Sequence, residues 1–403
     1  MIKLDPVQTL AFGGVVLMLG YFLCRKIPVL QRYSIPEPVV GGLVIALLAW
    51  AANTQGATLF QLDTSLQSAL MIAFFTSVGF NASLSLLKVS GPQVALFLLI
   101  CSVFAVVQNL AGIGVASMFG LNPMFGVLAG SATLTGGPAT GLAFAPLFEQ
   151  AGVRGADSIA VAAAMAGIVM GGLIGGPVVT RLIDRAKLPV PGAKPMAREA
   201  DAAPSEDIAI VPLDEHQREH VALKSIVLML VALWIGAMID GWLKAHGITL
   251  PAYIGAMIVG AVVRNIDDRT GWFGLSMQTT DMIGNICLAL FLAVALMNLK
   301  LWELAGLALP LLVILAVQLL LVVLVAGPVY RLMGRDYDGA VMSGGFIGFM
   351  LGTTANAMAV MRKLVQRFGA APRAYMVAPL VGAFFIDFTN ALIITGFLNF
   401  WPH

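Results

Sequence analysis

Residues 134–141 read Leu-Thr-Gly-Gly-Pro-Ala-Thr-Gly, and this first tract interrupts sequence that is otherwise apolar on both sides. A second tract, Leu-Gly-Thr-Thr-Ala-Asn at 351–356, follows a glycine-rich run in the other half of the chain. Two segment openings repeat as well: Ile-Pro-Glu-Pro at 35–38 and Leu-Pro-Ala-Tyr at 250–253 lie about 215 residues apart. A doubled plan with one interrupted segment in each half is typical of secondary transporters, whose substrate site lies where the interruptions meet.

The composition places the chain in a lipid bilayer. Hydrophobic residues make up 59% and charged residues 11% of the 403 positions, whereas soluble domains carry roughly 25% charged residues. The formal net charge of +2 comes without a dense basic run, so we expect no nucleic-acid partner. Cys24, Cys101 and Cys287 are far apart and fit neither a metal site nor a disulfide framework.

We expect a carrier and not an enzyme. The sequence has no phosphate-binding loop, no nucleophile elbow and no His/Glu metal helix. Without a nucleotide-binding fold, uphill transport has to draw on an ion gradient.

Ten segments approach the roughly 20 apolar residues that a helix needs to cross the hydrocarbon core. The predicted spans are 7–24, 37–53, 68–87, 93–118, 156–180, 222–242, 251–264, 281–299, 305–331 and 374–399. The first lacks the basic start and the cleavage site of a signal peptide, so it counts as a span. The second span of each half is short for a full crossing.

Two regions are left over, 123–150 and 338–361, and each contains one of the tracts. Their apolar arms of roughly ten to twelve residues are too short to cross singly. Irregular backbone is tolerated at membrane depth only where protein or a water-filled cavity covers it. We therefore predict two re-entrant hairpins, with one broken spanning helix as the alternative for each. The predicted fold is an all-α polytopic membrane protein with two repeats, each of five transmembrane helices plus one re-entrant hairpin.

The positive charges predict the orientation. With this layout, all but four of the 23 Lys and Arg lie on the same side as segment 184–220; the exceptions are Lys3, Arg154, Lys244 and Lys300. Lys and Arg accumulate on the cytoplasmic side, so this segment is predicted to be cytoplasmic and both termini outside. An odd number of crossings in each repeat makes the repeats inverted. The two hairpins then enter from opposite sides, and their tips approach each other at mid-membrane.

The chain is thus predicted to contain a first inverted repeat at 1–183, a linker at 184–220 and a second inverted repeat at 221–403. The linker is the only long polar stretch, and several prolines lie among its charges. That composition is typical of a flexible tether between the halves.

The two tracts contain the candidate substrate site. Glycine lets the backbone approach a ligand closely. Half-helix N-termini attract carboxylates, while free carbonyls and half-helix C-termini attract sodium. Short hydroxyl and amide side chains add hydrogen-bonding groups. The alternative role of the glycines is close packing of helices. The predicted substrate-binding residues are Thr135, Gly136, Gly137, Thr140, Gly352, Thr353, Thr354 and Asn356.

Polar side chains inside the spans predict a sodium site. Asp387 lies well within the last span, and no Lys or Arg lies in mid-span to neutralise it. A bound sodium ion is one partner, because hard cations favour oxygen ligands; a protonated carboxyl or a structural hydrogen bond is the alternative. Asn390 follows on the same helix face. The adjacent amides of Gln108 and Asn109 must face protein, either as ion ligands or as hydrogen bonds between helices.

From Leu4 to about Phe397 the chain resembles the glutamate:sodium symporter family of bacterial inner membranes. The resemblance lies in Ile35-Pro36-Glu37-Pro38-Val39, Leu70-Met71-Ile72-Ala73-Phe74-Phe75, Gln108-Asn109 with Gly112-Ile113-Gly114, Thr135-Gly136-Gly137, Gly171-Gly172-Leu173-Ile174-Gly175-Gly176-Pro177, Leu296-Met297-Asn298-Leu299-Lys300-Leu301-Trp302-Glu303-Leu304 and Val381-Gly382-Ala383-Phe384-Phe385-Ile386-Asp387. The resemblance implies sodium-coupled uptake of L-glutamate by a homodimer. It also implies an elevator motion of a core against a dimer scaffold. By analogy, we expect the scaffold in 1–67 and 221–280 and the core in 68–183 and 281–400.

Two positions depart from the family pattern, in which the first tip reads Gly-Gly-His-Gly-Thr-Gly. Pro138 stands at the histidine position, and Phe346 stands where a histidine is expected in the second tip. A different carboxylate or an uncharged solute is therefore an alternative cargo. A channel or a membrane sensor is a third possibility, but the polar residues concentrate near mid-membrane and form no continuous polar path, which favours a carrier.

Overall fold

The computed structural model describes residues 2–32, 35–56, 59–85, 91–191, 215–246, 250–304 and 306–401, and the structural statements below concern those residues. Their regular structure is almost entirely helical. The helices of the first half are α1 (Pro6–Lys26), α2 (Pro28–Arg32), α3 (Glu37–Asn53), α4 (Gln67–Phe80), α5 (Pro92–Met118), α6 (Pro123–Val127), α7 (Gly137–Gln150) and α8 (Ala156–Ala186). Those of the second half are α9 (Glu215–Ala245), α10 (Ala252–Thr270), α11 (Met277–Met297), α12 (Ala308–Leu332), α13 (Tyr337–Met350), α14 (Thr354–Phe368), α15 (Pro372–Leu380) and α16 (Ile386–Phe400).

Short irregular helical turns join some of these elements. A π-helical turn at Leu128–Ala132 extends α6, and a second at Val381–Phe385 joins α15 to α16. A 3-10 turn at Leu301–Leu304 follows α11. Such π-helical turns are found frequently at functional sites.

Local sequence explains where the helices begin. The Asp5 carboxylate accepts the N–H of Gln8 at 2.8 Å, and the Gln8 side chain accepts the N–H of Asp5 at 3.1 Å, which forms a capping box at the start of α1. Proline occupies one of the first two positions of several helices, including α1, α5 and α15. At that place its missing N–H costs nothing, because the first-turn N–H groups have no partner within the helix.

The predicted spans correspond to helices, with three corrections. The third span was predicted to run to residue 87, but α4 ends at Phe80. The last span is not continuous, because the turn Val381–Phe385 divides it into α15 and α16. The predicted linker is shorter at its end, because α9 already begins at Glu215; residues 192–214 lie outside the described part of the chain.

Membrane-spanning length is met by seven helices of the described chain: α1, α5, α8, α9, α11, α12 and the α15–α16 pair. Helices α3 and α4 are apolar but shorter, and α10 carries several charged residues in its last turns. The protein is therefore a polytopic, largely helical membrane protein. The all-α prediction missed one feature, a parallel pair of strands β1 (Ile2–Leu4) and β2 (Phe60–Leu62) in which Ile2 pairs with Phe60.

The helices form two packing groups. The first bundle contains α1, α3, α4, α9, α10 and α11, and the second bundle contains α5–α8 and α12–α16. Each bundle contains helices from both halves of the chain. The expected borders at 68 and 281 assigned α4 and α11 to the core, whereas these two helices pack mainly on α1, α3, α9 and α10.

Small residues permit the closest helix contacts. A Cβ placed on Gly20 of α1 would lie 2.1 Å from the carbonyl oxygen of Glu37, and one on Gly41 of α3 would lie 2.1 Å from that of Val16. Real Cβ atoms essentially never approach other atoms that closely. Glycine at both positions therefore lets the backbones of α1 and α3 come into direct contact.

Candidate functional site

The two tracts meet in the second bundle. Gly137 adopts a positive φ of 69°, and a Cβ on it would lie 2.6 Å from Cγ2 of Thr353. The carbonyl oxygen of Gly352 is 3.8 Å from the same point. A positive φ favours glycine strongly, because a Cβ would clash with the backbone. The structure thus brings Gly137 of the first tract against Gly352 and Thr353 of the second.

Gln108 connects the first tract to Met350, the residue that directly precedes the second tract, through its side chain. Its Oε1 accepts the hydroxyl of Thr135 at 2.8 Å, and its Nε2 donates to the carbonyl of Met350 at 2.8 Å. The backbone carbonyl of Gln108 also accepts Nε2 of Gln318 in α12 at 2.7 Å. Gln108 is fully buried. Of the two roles predicted for this amide, its contacts match hydrogen bonding between helices.

Asn109 and Asn390 bind the same residue of segment 123–150. Asn109 Oδ1 accepts the N–H of Ser131 at 2.9 Å, and Asn390 Nδ2 donates to the carbonyl of Ser131 at 2.9 Å. Next to Ser131, Gly130 has non-helical backbone angles of φ −98° and ψ −126°. The backbone break therefore lies between two buried amides from α5 and α16.

Three polar atoms around Ser131 have no hydrogen-bond partner among the residues that the structure describes: Asn109 Nδ2, Ser131 Oγ and Asn390 Oδ1. All three side chains are fully buried. A buried polar group without a partner costs about 1–3 kcal/mol, so three such atoms around one residue indicate a place for a ligand. Two of them are neutral oxygens, which suit a hard cation such as sodium.

Asp387 lies on the interrupted last span. It occupies the first turn of α16, directly after the π-helical turn, and is partly buried. The turn itself contacts the second tract, because the hydroxyl of Thr354 donates to the carbonyl of Gly382 at 2.9 Å. Within the described chain Asp387 makes no hydrogen bond and no ion pair. Its carboxylate is therefore available to a cation, one helical turn from Asn390.

The N-terminus of α14 is open. Thr353, which precedes it, has extended backbone, and its side chain makes no capping hydrogen bond. Thr353 and Thr354 are partly exposed and Ala355 is exposed. Helix N-termini with uncapped N–H groups attract anions, since the helix dipole adds a partial positive charge. The N-terminus of α7 differs, because it is more buried and its Pro138 has no N–H to offer.

Other predicted substrate residues lie within the helix packing. Thr140 is buried against Gly136, where an added Cβ would lie 2.5 Å from Cβ of Thr140. Asn356 is buried. A Cβ added to Gly352 would lie 2.5 Å from Nδ2 of Asn356, and one added to Gly171 would lie 2.6 Å from the same atom. Thr140, Gly136 and Asn356 therefore hold the tracts in place, in agreement with the packing alternative for these positions.

One of the two departures from the family pattern lies away from the tracts. Phe346 was expected in the second tip, but it is fully buried in the middle of α13. Its ring packs edge-on against Phe104 of α5, with ring centroids 5.1 Å apart. Only Pro138 changes the chemistry of a tract itself.

Sequence reasoning missed several residues of this region, namely Gly130, Ser131, Tyr253, Gln318 and Gly382. The signal for Ser131 was weak, since a serine beside a glycine is common in membrane helices. Tyr253 belongs to the repeated segment opening at 250–253. It stacks on Phe75 at 3.8 Å, its buried hydroxyl has no partner among the described residues, and it lies within electrostatic reach of Asp387. Tyr253 thus places a polar group of the first bundle near the site in the second.

Comparisons with known proteins agree over most of the chain. A family model described as sodium/glutamate symporter matches residues 2–370. The sodium/glutamate symporter of Haemophilus influenzae is 41% identical over 397 residues, which cover 96% of this chain and 95% of that protein. Those of Escherichia coli and Shigella flexneri are each 40% identical over 403 residues, which cover 99% of this chain and 98% of theirs.

Proposed function

The chain belongs to the sodium/glutamate symporter family, and from that premise we propose that it is a sodium-coupled symporter that imports L-glutamate across the bacterial inner membrane. The observation that carries the proposal is the contact between the two tracts at Gly137 and Thr353, beside buried oxygens that have no partner among the described residues. Such a site suits a small anion and a cation that are bound together.

The open N-terminus of α14 binds one carboxylate of glutamate in this proposal. Its first-turn N–H groups and the hydroxyl of Thr353 are the donors, and the positive end of the helix dipole lowers the cost of desolvating the anion. Thr354 orients the tract, because its hydroxyl already donates to Gly382. Gly137 lets the first tract pack directly against Thr353, next to these donors.

Sodium is bound by Asp387, Asn390 and Ser131, and Asn109 positions Ser131, because its Oδ1 already accepts the N–H of that residue. Asp387 supplies the negative charge, and Ser131 Oγ and Asn390 Oδ1 supply neutral oxygens that have no other partner in the described residues. Gln108 does not coordinate the ion, since its amide is engaged by Thr135 and Met350; it fixes the distance between the tracts.

Coupling follows from the charges of the two ligands. Glutamate brings a net negative charge into a low-dielectric region that already contains Asp387. A sodium ion beside them offsets that charge, so each ligand raises the affinity for the other by the same factor. Binding of glutamate is then weak without sodium.

The two bundles support an elevator mechanism with inverted repeats. Each bundle contains helices from both halves. The two bundles have few contacts with each other, among them α7 with α11 and the π-helical turn Val381–Phe385 with α4. We assign the first bundle to a homodimeric scaffold and the second to the moving core. The distribution of Lys and Arg supports a cytoplasmic linker and external termini.

Pro138 favours a second candidate cargo. Without the family's histidine, and without an N–H at this position, the first tract has fewer donors for an anion. A related carboxylate with a smaller requirement for donors is the alternative. Competition of glutamate uptake by a panel of carboxylates and uncharged amides distinguishes the two.

Uptake of labelled L-glutamate into proteoliposomes tests the proposal. We expect accumulation above the external level with an inward sodium gradient and none with an equal potassium gradient. Asp387→Asn should abolish the sodium dependence, whereas the matched control Asp184→Asn, at an exposed position of α8, should retain it. Unchanged sodium stimulation in Asp387→Asn would refute the assignment of the ion site.

A further inference from the structure

Two adjacent cavities lie at the end of α8 that leads to Ala186. One, of about 550 Å³, lies between α8 and α12, and the other, of about 390 Å³, lies between α8 and α14. Arg181 lines both of them. None of the residues assigned above to glutamate or sodium lines either cavity, so a ligand bound here would be independent of the proposed function.

The larger cavity is an apolar groove with a cationic rim. Leu182 of α8 and Val323 and Leu324 of α12 form its walls, and Arg181 and Arg185 lie at its edge. Leu324 is 61% exposed, so this wall opens outward. Ser343 also lines the groove, but its hydroxyl donates to the carbonyl of Ala326 at 2.7 Å and offers no free donor.

The rim has uncompensated positive charge. Arg181 and Arg185 are exposed and one helical turn apart, and neither makes an ion pair in the described part of the chain. Lys363 and Arg367 of α14 repeat this spacing at the second cavity. Asp184 lies within the same turn of α8 but lines neither cavity. Like charges at this spacing repel one another, so a bound anion would relieve the repulsion.

We propose that this groove binds an anionic phospholipid, with its phosphate at Arg181 and Arg185 and an acyl chain along Val323 and Leu324. Guanidinium groups bind phosphate oxygens in pairs. Basic pockets between transmembrane helices are typical sites for anionic headgroups. A free phosphate ion would use the rim but not the apolar wall, and the wall therefore selects a lipid.

Native mass spectrometry of the full-length protein in detergent tests this site with phosphatidylglycerol and phosphatidylcholine of the same acyl chains. We expect the unchanged protein to retain phosphatidylglycerol in preference. The double variant R181Q/R185Q should weaken that binding by about tenfold or more. The control R25Q/R269Q removes two exposed arginines at the ends of α1 and α10 and should bind as the unchanged protein does.

The conservative pair R181K/R185K keeps both charges and should keep the preference, which separates charge recognition from misfolding. Equal retention of the two lipids by the unchanged protein would overturn the proposal. So would an equal loss in R25Q/R269Q, because it would mean that any interfacial charge suffices. Displacement of the lipid by inorganic phosphate at constant ionic strength would show that the rim binds free anions and would overturn the assignment to a phospholipid.

Discussion

Substituting Gly137 by alanine tests the contact between the tracts most directly. At φ 69° an alanine is strained by about 1–2 kcal/mol. Its Cβ would lie 2.6 Å from Cγ2 of Thr353, whereas ordinary van der Waals contacts begin at 3.4 Å. One tract must therefore retreat by close to an ångström, and the donors of α14 move with it. A loss of about 1.4 kcal/mol corresponds to a factor of ten, so we expect sodium-driven glutamate uptake to fall by about tenfold or more.

A second substitution separates the clash from the strain. Thr353→Ser removes Cγ2 and keeps the hydroxyl, so the double variant G137A/T353S should recover part of the uptake lost in G137A. The matched control is Gly114→Ala in α5, where an added Cβ meets nothing within 4 Å; its uptake should be unchanged. Uptake in G137A equal to that of the unchanged protein, with the same apparent affinity for glutamate, would refute a close approach of the tracts at the substrate site.

Three further substitutions test other parts of the structure. Gln108→Leu leaves the Thr135 hydroxyl with only its 3.8 Å contact to Met350 Sδ and removes the donor to the Met350 carbonyl. A buried polar group without a partner costs about 1–3 kcal/mol, so this variant should lower the melting temperature of the purified protein. Thr135→Val in that background should restore part of the loss, and a fully additive double variant would contradict the bridge. Asn390→Ala removes a proposed sodium ligand, so it should raise the sodium concentration for half-maximal uptake by about tenfold. The control Asn399→Ala on the same helix should leave that concentration unchanged. An equal increase in both variants would contradict the proposed ion site. Asp267 lies beyond the predicted span 251–264. Burial raises the pKa of its carboxyl, but the N–H groups of Leu275, Gly274 and Phe273 lower it, and so does the nearby Arg264. The pKa therefore lies below its usual range. This carboxylate stabilises the protein above its unfolded-state pKa of about 4, and the stabilisation is lost as the pH falls through the folded-state pKa. Asp267→Asn should thus lower the melting temperature at pH 7, and the difference from the unchanged protein should shrink as the pH falls below about 4; a difference that stays constant as the pH falls would contradict a contribution from the charge.

The long-range plan of the molecule could be predicted because the bilayer constrains sequence strongly. The need for about 20 apolar residues per crossing located the spans within a few residues, as α5 and α12 illustrate. The two tracts were recognisable because polar, glycine-rich sequence is rare within apolar segments. The structure brings them together at Gly137 and Thr353, as the doubled plan predicted.

Other features could not be predicted because they depend on partners that are distant in sequence. Ser131 is distinctive neither by type nor by position, and its place in the site arises only because Asn109 and Asn390 bind its backbone. The break before α16 falls in apolar sequence where Pro379 and Gly382 are the only local signals, and a spanning helix tolerates both residues when its neighbours satisfy the freed backbone groups. The family pattern suggested that Phe346 lies in the second tip, but the packing of α13 on α5 places its ring in the core.

The amino-acid sequence by itself determined that this is a membrane protein, where its helices lie and which segments carry the polar tracts, since hydropathy and segment length are local properties. Tertiary structure decided which polar atoms remain without partners among the described residues, how α4 and α11 join the first bundle, and how Arg181 and Arg185 come to border an apolar groove. Those outcomes depend on contacts between residues tens to hundreds of positions apart, and such contacts follow from close packing and hydrogen-bond satisfaction in three dimensions.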